Sequence, residues 1–364
     1  MSIVSSLRPE PRVPLPLLVT GVAGVAGYNA FHYFRDRYPG QVVGIRQRDN
    51  WRLTGDGITA CDAEDRDTLR QLFREHRFRA VLDCAGNCAL RACELDADLA
   101  WRINVDGVRN LLDAIEETYG PDALRNSHGP RLVHLSIDLV FSGRGYGGHV
   151  ETDPTDPVTE YGRSMVAAEQ LLLERAPQAC LLRISLPMGI SFNGHAGAID
   201  WIQSRFKKHR PATLYFDEHR TPTYTDCLNE LCETVLSYDR LQAPLVGLFH
   251  AGAPRALSLF QIAQVINRVG GYDPDLLMGC PRLHAGPVPP RAGNVAMDSS
   301  KLRGALGYEP FDPWPVDEAH VPTDRLWHYR RDAGEPGSPE LLERVLYLNP
   351  RRRVALRSDG DSVG

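Results

Sequence analysis

The chain has 364 residues, 43% of them hydrophobic and 24% charged, with a formal net charge of −5. This is typical of a globular protein with a large core and room for a second, smaller lobe. The negative charge argues against nucleic acid or an anionic membrane as the main partner. No apolar run approaches the roughly 20 residues of a membrane span. We therefore expect a cytoplasmic protein with neither kind of partner.

The eight cysteines predict no metal site. Cys84, Cys88 and Cys93 are close in sequence, but their spacing matches no zinc pattern and the chain contains no Cys-x-x-Cys pair. Buried, reduced thiols are the expected state.

A glycine-rich turn near the N-terminus is the strongest signal. An apolar run from Leu15 predicts a buried strand, three glycines follow, and a helical pattern starts at Tyr28. A dinucleotide fingerprint requires this strand–turn–helix order, in which Gly21 permits the turn, Gly24 admits a pyrophosphate and Gly27 allows close packing. The helix N-terminus adds unpaired N–H donors. The alternative is an ordinary glycine-rich turn. The predicted cofactor-binding residues are Gly21, Val22, Ala23, Gly24, Val25, Ala26 and Gly27.

Basic residues follow the predicted second strand, 41–45. Arg46 and Arg48 stand where NAD-preferring sites commonly place an acidic residue for the ribose 2′-hydroxyl. A guanidinium can instead pair with a 2′-phosphate. The sequence therefore favours NADP, with NAD possible, unless both arginines are merely solvated.

Strands and helices alternate through the next hundred residues. Strands are predicted at 80–84, 131–136 and 179–185, and helices at 63–76, 94–118 and 159–175. This order predicts a doubly wound parallel α/β sheet of the Rossmann type. Asp62 is placed to bond an adenine amino group, and a small-residue loop follows the strand at 80–84. The cofactor-side residues predicted here are Asp62, Ala63, Cys84, Ala85, Gly86 and Asn104.

We expect four regions along the chain. Residues 1–14 form a flexible tail, and 15–186 a dinucleotide-binding domain with a return segment near 215–250. Residues 187–326 form mainly a smaller, discontinuous α/β substrate lobe, with helices near 198–208, 225–238 and 259–269. A glycine- and proline-rich stretch at 141–157 suggests a lid or substrate-facing loop. Residues 327–364 form an Arg-rich extension of unassigned role, solvated near 350–353.

Motifs spread over residues 15–315 resemble the extended short-chain dehydrogenases/reductases, and within them the dTDP-4-dehydrorhamnose reductase branch. The matching stretches are Thr20-Gly-x-x-Gly-x-x-Gly27, Asn104-Val105, Leu135-Ser-Ile-Asp-Leu-Val-Phe-Ser-Gly143, Tyr161-Gly-Arg-Ser, Leu182-Arg-Ile-Ser, Thr221-Pro-Thr-Tyr-Thr-Asp226 and Pro290-Arg-x-x-Asn-Val-x-x-Asp-x-x-Lys301. The resemblance implies hydride transfer between a nicotinamide cofactor and a carbonyl or alcohol of a nucleotide sugar.

The catalytic triad that the resemblance implies is altered in this chain. Tyr161 matches the proton donor, but the lysine that lowers the tyrosine's pKa is replaced by Met165 and the Ser/Thr that orients the carbonyl by Ile137. Phenol has a pKa of about 10, so acid–base catalysis at neutral pH needs such a cation. Ser136 is adjacent, but its side chain is expected on the opposite face of the strand. The resemblance also implies a tryptophan over the substrate, and Leu186 stands at that position here. We include Leu186 among the predicted cofactor-side residues.

The remaining candidates lie on the substrate side. Asp138 is either an alternative acid or a loop-capping carboxylate, and His134 is expected to be a core histidine. The predicted substrate-binding residues are Asn87, Asp138, Leu139, Asn193, Thr221 and Arg291.

Three functions remain open. The first is an NAD(P)-dependent oxidoreductase that acts on a nucleotide-sugar-like ketone with Tyr161 as acid. The second is a non-catalytic NADP-binding regulatory or scaffold subunit, since the same branch includes the regulatory beta subunit of methionine adenosyltransferase. The third is a sugar epimerase or dehydratase with a recycled cofactor. A homodimer or a partner enzyme is possible in each case.

Overall fold

The computed structural model describes residues 13–86, 89–126, 128–194, 197–237, 243–331 and 336–351. Asn87, predicted to bind substrate, lies outside the described residues, as do residues 1–12 and 352–364. The strands are β1 (Leu17–Val19), β2 (Val42–Arg46), β3 (Ile58–Ala60), β4 (Ala80–Asp83), β5 (Arg131–Ile137), β6 (Cys180–Ile184), β7 (Pro187–Met188), β8 (Ala212–Tyr215), β9 (His219–Arg220), β10 (Thr223–Tyr224), β11 (Gly247–Ala251), β12 (Leu257–Ser258) and β13 (Leu277–Cys280). The helices are α1 (Val25–Arg37), α2 (Arg66–His76), α3 (Leu90–Leu95), α4 (Ala97–Trp101), α5 (Gly107–Tyr119), α6 (Glu160–Arg175), α7 (Ala198–Lys207), α8 (Thr225–Leu236), α9 (Leu259–Val269), α10 (Ser300–Leu306) and α11 (Pro339–Leu342).

A seven-stranded parallel sheet organises the fold. Its strands run in the order β3-β2-β1-β4-β5-β6-β11. The order reverses between β1 and β4, and ligands of such sheets bind outside the carboxyl ends of the strands at that reversal. The predicted Rossmann-type fold is confirmed.

The segment between β4 and β5 differs from the single helix expected at 94–118. The chain forms α3 and α4, a π-helical turn at Arg102–Asp106 and then α5. Asp96 ends α3 and caps α4, because its carboxylate accepts a hydrogen bond from the Leu99 amide at 2.9 Å. The π turn carries Asn104, whose amide donates to Ser164 Oγ at 2.9 Å.

Residues after β6 build a second lobe and also return to the sheet. The lobe contains the pairs β8–β13 and β9–β12 together with α7 and α9. The helix α8 packs against α1, and β11 adds the edge strand beside β6. No helix in the described part of the chain has the length and apolar character to span a membrane.

Part of the C-terminal extension is core. Leu342 and Leu346 are fully buried, and Trp314 Nε1 donates to the Leu346 carbonyl at 3.0 Å. Tyr347 donates to Gln203 Oε1 of α7 at 2.6 Å. Residues 336–351 therefore brace α7 from behind. At the other end, Val13 is also buried in the main core.

Candidate active site

One large cleft lies at the carboxyl edge of the sheet, between the glycine turn and the second lobe. Its volume is about 1280 Å³. Residues from both sides line it, among them Ala23, Gly24, Arg48, Asp62, Gly86, Leu186, Asn193, Trp201, Tyr215, Glu218, Arg220 and Arg291. Eight of these are sequence-predicted site residues, and the other four, Trp201, Tyr215, Glu218 and Arg220, are not. The cleft thus joins residues predicted for the cofactor with residues predicted for the substrate, and we call these two sides its dinucleotide half and its substrate half.

The glycine turn is shaped by backbone proximity. Gly21 has a φ of +64°, and a Cβ there would lie 2.4 Å from the Cys84 carbonyl oxygen. A Cβ at Gly27 would lie 2.3 Å from the Gly21 carbonyl oxygen. Gly24 differs, since a Cβ there would meet only the Gly21 oxygen at 3.6 Å. Two glycines are therefore required by the fold, whereas Gly24 borders the cleft at the start of α1.

The other predicted turn residues have packing roles. Val22 and Val25 are buried, and Ala26 packs against the main core. The amide of Val22 donates to the Ile45 carbonyl at 3.2 Å, which ties the turn to β2. The apolar residues thus hold the turn in place, and Ala23 and Gly24 face the cleft.

A buried hydrogen-bond network joins the ends of β1, β4 and β5. Thr20 Oγ1 donates to Asp83 Oδ1 at 2.5 Å and accepts from the amides of Cys84 and Ala85 at 2.9 and 3.0 Å. His134 Nδ1 lies 2.7 Å from Asp83 Oδ2. Burial alone would raise the pKa of Asp83, but the hydrogen bonds from His134 and Thr20 hold it below its ordinary value. This network fixes the loop that borders the cleft.

The two predicted cofactor-side arginines have different environments. Arg46 Nε donates to the Leu53 carbonyl at 2.6 Å, and its Nη1 donates to the carbonyls of Gln47 and Arg48 at 3.0 and 3.3 Å. The Arg48 side chain is 58% exposed and lines the cleft, where it pairs with Asp65 and lies 3.9 Å from Asp62. The Asp62 carboxylate accepts a hydrogen bond from the Arg48 backbone amide at 2.9 Å. Arg46 therefore holds the loop, and Arg48 faces the ligand space.

A smaller cavity of about 120 Å³ adjoins the cleft and shares Gly24, Asp62 and Gly86 with it. Its lining includes further predicted cofactor-side residues, namely Gly21, Arg46, Ala63, Cys84 and Ala85. The Asn104 amide oxygen lies 3.6 Å from the position of a Cβ on Gly86. Burial raises the pKa of the Cys84 thiol well above its ordinary value.

The predicted catalytic positions lie in an apolar cluster beside the cleft. Tyr161 and Met165, on α6, are 7% and 2% exposed and pack with Leu139; Ile137 packs against the same cluster. None of these four is among the described residues that line the cleft. Ser136 is fully buried, and its Oγ donates to Glu169 Oε1 at 2.5 Å.

Two charged residues that sequence reasoning missed, Glu218 and Arg220, line the substrate half. Arg220 donates to Asp138 Oδ1 at 2.5 Å and to Glu218 Oε1 at 3.1 Å. Ser185 Oγ also donates to Asp138, at 2.6 Å. The two carboxylates outweigh burial and raise the pKa of Arg220, so it stays cationic. Arg220 directly precedes the Thr221-Pro-Thr-Tyr-Thr-Asp226 motif, the one signal that pointed to it.

Thr221 itself lines a separate cavity of about 390 Å³. The loop at 141–157, expected near the substrate, contributes Tyr146 and Gly148 to the same cavity as Thr221. It packs on the segment 294–298, where the Gly148 amide donates to the Ala296 carbonyl at 2.7 Å. In the described chain, no group of three His, Cys, Asp or Glu side chains is arranged to hold a metal ion.

Comparisons with known proteins identify the family of the chain. The family model described as "RmlD substrate binding domain" matches residues 16–318. Methionine adenosyltransferase 2 subunit beta of Danio rerio is 23% identical over 326 residues, covering 87% of this chain and 91% of that protein. The dTDP-4-dehydrorhamnose reductase of Aggregatibacter actinomycetemcomitans is 24% identical over 307 residues, covering 81% and 95%.

A solved structure shares the fold. The dTDP-4-dehydrorhamnose reductase of Bacillus anthracis, solved with NADP, aligns with a TM-score of 0.67 at 20% identity over 82% of this chain and 95% of that one. The resemblance deduced from the motifs is confirmed. The chain belongs to the RmlD substrate-binding-domain family, the dTDP-4-dehydrorhamnose reductase-like branch of the extended short-chain dehydrogenases/reductases.

Proposed function

We propose that this protein is an NADP-dependent oxidoreductase of the short-chain dehydrogenase type that acts on a nucleotide-linked keto-sugar. The observation that carries the proposal is the single cleft, because it joins the dinucleotide turn to a polar substrate half. Relatives named as dTDP-sugar reductases support the substrate class. The B. anthracis structure, solved with NADP, supports the cofactor.

The residues of the turn fit a dinucleotide. Gly24 borders the cleft at the N-terminus of α1, where a pyrophosphate would meet backbone N–H groups and the positive end of the helix dipole. Arg48 would pair with the 2′-phosphate, and Asp62 would bond the adenine amino group. NADP supplies the nicotinamide that accepts or donates a hydride. Tyr161 would supply the proton at its phenolic oxygen.

The cofactor half of this proposal is tested by binding. We expect one NADPH per chain by native mass spectrometry, with NADH bound more weakly. Gly24→Ala should fold normally, because its Cβ makes only an ordinary contact, and should bind NADPH at least about tenfold more weakly. Failure of the wild-type protein to bind either dinucleotide would refute the proposal.

The catalytic half is tested by Tyr161→Phe in the NADPH-loaded protein. Candidate keto-sugars should be reduced at least about 100-fold more slowly, the lower limit typical of losing a general acid. Tyr119→Phe is the matched control, since Tyr119 lies on α5 and bonds the Phe78 carbonyl away from the cleft. Equal turnover by wild type and Tyr161→Phe would remove Tyr161 from the mechanism.

The second candidate is an NADP-binding regulatory or scaffold subunit. It is favoured by the burial of Tyr161 among apolar side chains and by Met165 in place of a lysine. The relative from Danio rerio, named as a subunit, supports it. If NADPH binds but no keto-sugar is reduced, and the protein purifies in a stoichiometric complex with an enzyme, this candidate replaces the first.

A further inference from the structure

The substrate half of the cleft is electrically balanced. Glu218, Arg220 and Arg291 line it, and the buried Asp138 lies behind Arg220, so that two carboxylates face two guanidiniums. Arg220 bridges both carboxylates, and Arg291 Nη1 lies 3.8 Å from Glu218 Oε2. A site built for a diphosphate would carry excess positive charge. This balance instead suits an uncharged polar group.

Three polar atoms in this balanced set have no hydrogen-bond partner among the described residues. They are Glu218 Oε2, Arg220 Nε and Arg291 Nε, and all three are buried from solvent. Glu218 is 1% exposed and its residue lines the cleft. A buried polar group without a hydrogen-bond partner is destabilising, and more so when it is charged. A ligand that donates to the carboxylate and accepts from a guanidinium would recover that energy.

Apolar surface lies beside these atoms. The Arg291 guanidinium lies 4.8 Å from the centre of the Tyr215 ring, which also holds it in place. Tyr215 and Trp201 both line the cleft. A sugar ring has hydroxyls at its edge and an apolar C–H face, so it complements both features.

We propose that Glu218 and Arg291 form a hydroxyl-recognition site for the sugar ring of the substrate. Glu218 Oε2 accepts from one hydroxyl, and Arg291 Nε donates to the oxygen of a neighbouring one. The inference rests on the proposed function and deepens it, because it assigns the sugar, and not the diphosphate, to this part of the cleft. Glu218 and Arg291 are specificity-determining residues in this assignment.

The experiment compares binding of a nucleotide sugar with binding of its bare nucleotide. Isothermal titration of the NADPH-loaded protein uses dTDP-glucose against dTDP and UDP-glucose against UDP. The ratio of the two dissociation constants isolates the contribution of the sugar. In wild type the sugar should tighten binding, and in Glu218→Gln the ratio should fall about tenfold, the loss of one hydrogen bond to a charged group.

Asp217→Asn is the matched control. It removes the same charge from the adjacent residue, whose carboxylate instead bonds the Arg282 amide and guanidinium at 2.7 Å each, and it should leave the ratio unchanged. Arg291→Gln gives a second reading if Glu218→Gln does not fold, because the Arg291 side chain is 25% exposed. Its ratio should fall several-fold at an unchanged melting temperature.

Two outcomes would overturn the assignment. In one, Glu218→Gln tightens both ligands equally and keeps the ratio, so that Glu218 is only a counter-ion of a phosphate-binding arginine. In the other, wild type shows no sugar contribution with either pair. Failure to bind NADPH would instead contradict the proposed function. Failure of the hydroxyl-site assignment and failure of the proposed function are therefore distinguishable.

Discussion

The contrast between Arg46 and Arg48 predicts which arginine selects NADPH over NADH. Three backbone carbonyls occupy the Arg46 guanidinium, so its replacement should loosen the loop after β2. Arg48 faces the cleft and is held there by Asp65. Only Arg48→Gln should therefore lower the preference for a 2′-phosphate.

The size of the effect follows from the surroundings of Arg48. A hydrogen bond to a charged group contributes about 1.5–3 kcal/mol. The low end applies, because the side chain is 58% exposed and shares its charge with Asp62 and Asp65. About 1.5 kcal/mol corresponds to roughly tenfold in the dissociation constant of NADPH. The affinity for NADH, which lacks the 2′-phosphate, should not change.

Titration calorimetry of both dinucleotides against wild type, Arg48→Gln and Arg46→Gln measures this. Arg46→Gln is the matched control and should weaken both ligands by the same factor. The preference of the wild type should also shrink as salt rises, because exposed charges are screened. The reasoning would be refuted if the ratio of the NADH and NADPH dissociation constants were unchanged in Arg48→Gln, or if it changed only in Arg46→Gln.

Three further predictions concern stability. Gly27→Ala should destabilise the fold by about 1–3 kcal/mol in urea unfolding, since its Cβ would lie 2.3 Å from the Gly21 oxygen; an unchanged midpoint would contradict the close packing. Leu346→Ala should cost about 2–5 kcal/mol, whereas a loss below about 1 kcal/mol would mean that the C-terminal segment is loosely held. The pKa of Asp83 is lowered in the fold, so its contribution to stability is present above about pH 4 and is lost as pH falls through the folded pKa. Asp83→Asn should therefore reduce the fall in melting temperature as the pH is lowered. Parallel curves of melting temperature against pH for wild type and variant would disprove this.

The sheet and the dinucleotide turn were predictable because their signals are local. Strand, glycine turn and helix follow one another within about twenty residues, and Gly21 and Gly27 owe their identity to backbone contacts within that turn and with the end of β4. The division of the predicted helix 94–118 at Asp96 was missed, because in the sequence a capping carboxylate within an apolar pattern looks like a surface residue of a continuous helix.

The substrate half was less predictable because long-range packing assembles it. Asp138 and Arg220 are 82 residues apart in sequence and meet only when β9 reaches the end of β5. Thr221, adjacent to Arg220, was predicted to bind substrate but lines a different cavity. Neighbouring residues in an extended segment point to opposite sides, so the motif marked the region without identifying which residue faces the cleft.

Introducing a lysine at position 165 tests the alteration of the catalytic triad that the sequence predicts. Met165 is 2% exposed and packs with Tyr161 and Leu139 in an apolar cluster. A lysine there would bury an ammonium in apolar surroundings, which lowers its pKa and costs stability. Met165→Lys should therefore lower the melting temperature and leave keto-sugar reduction no faster than wild type, whereas Met165→Leu should preserve stability. A stable Met165→Lys variant with faster reduction would show that the cluster admits a cation and that only the lysine is missing. If Met165→Lys is less stable, as expected, Tyr161 and Met165 are packed together as an apolar pair. Any proton transfer from Tyr161 must then proceed without a neighbouring ammonium.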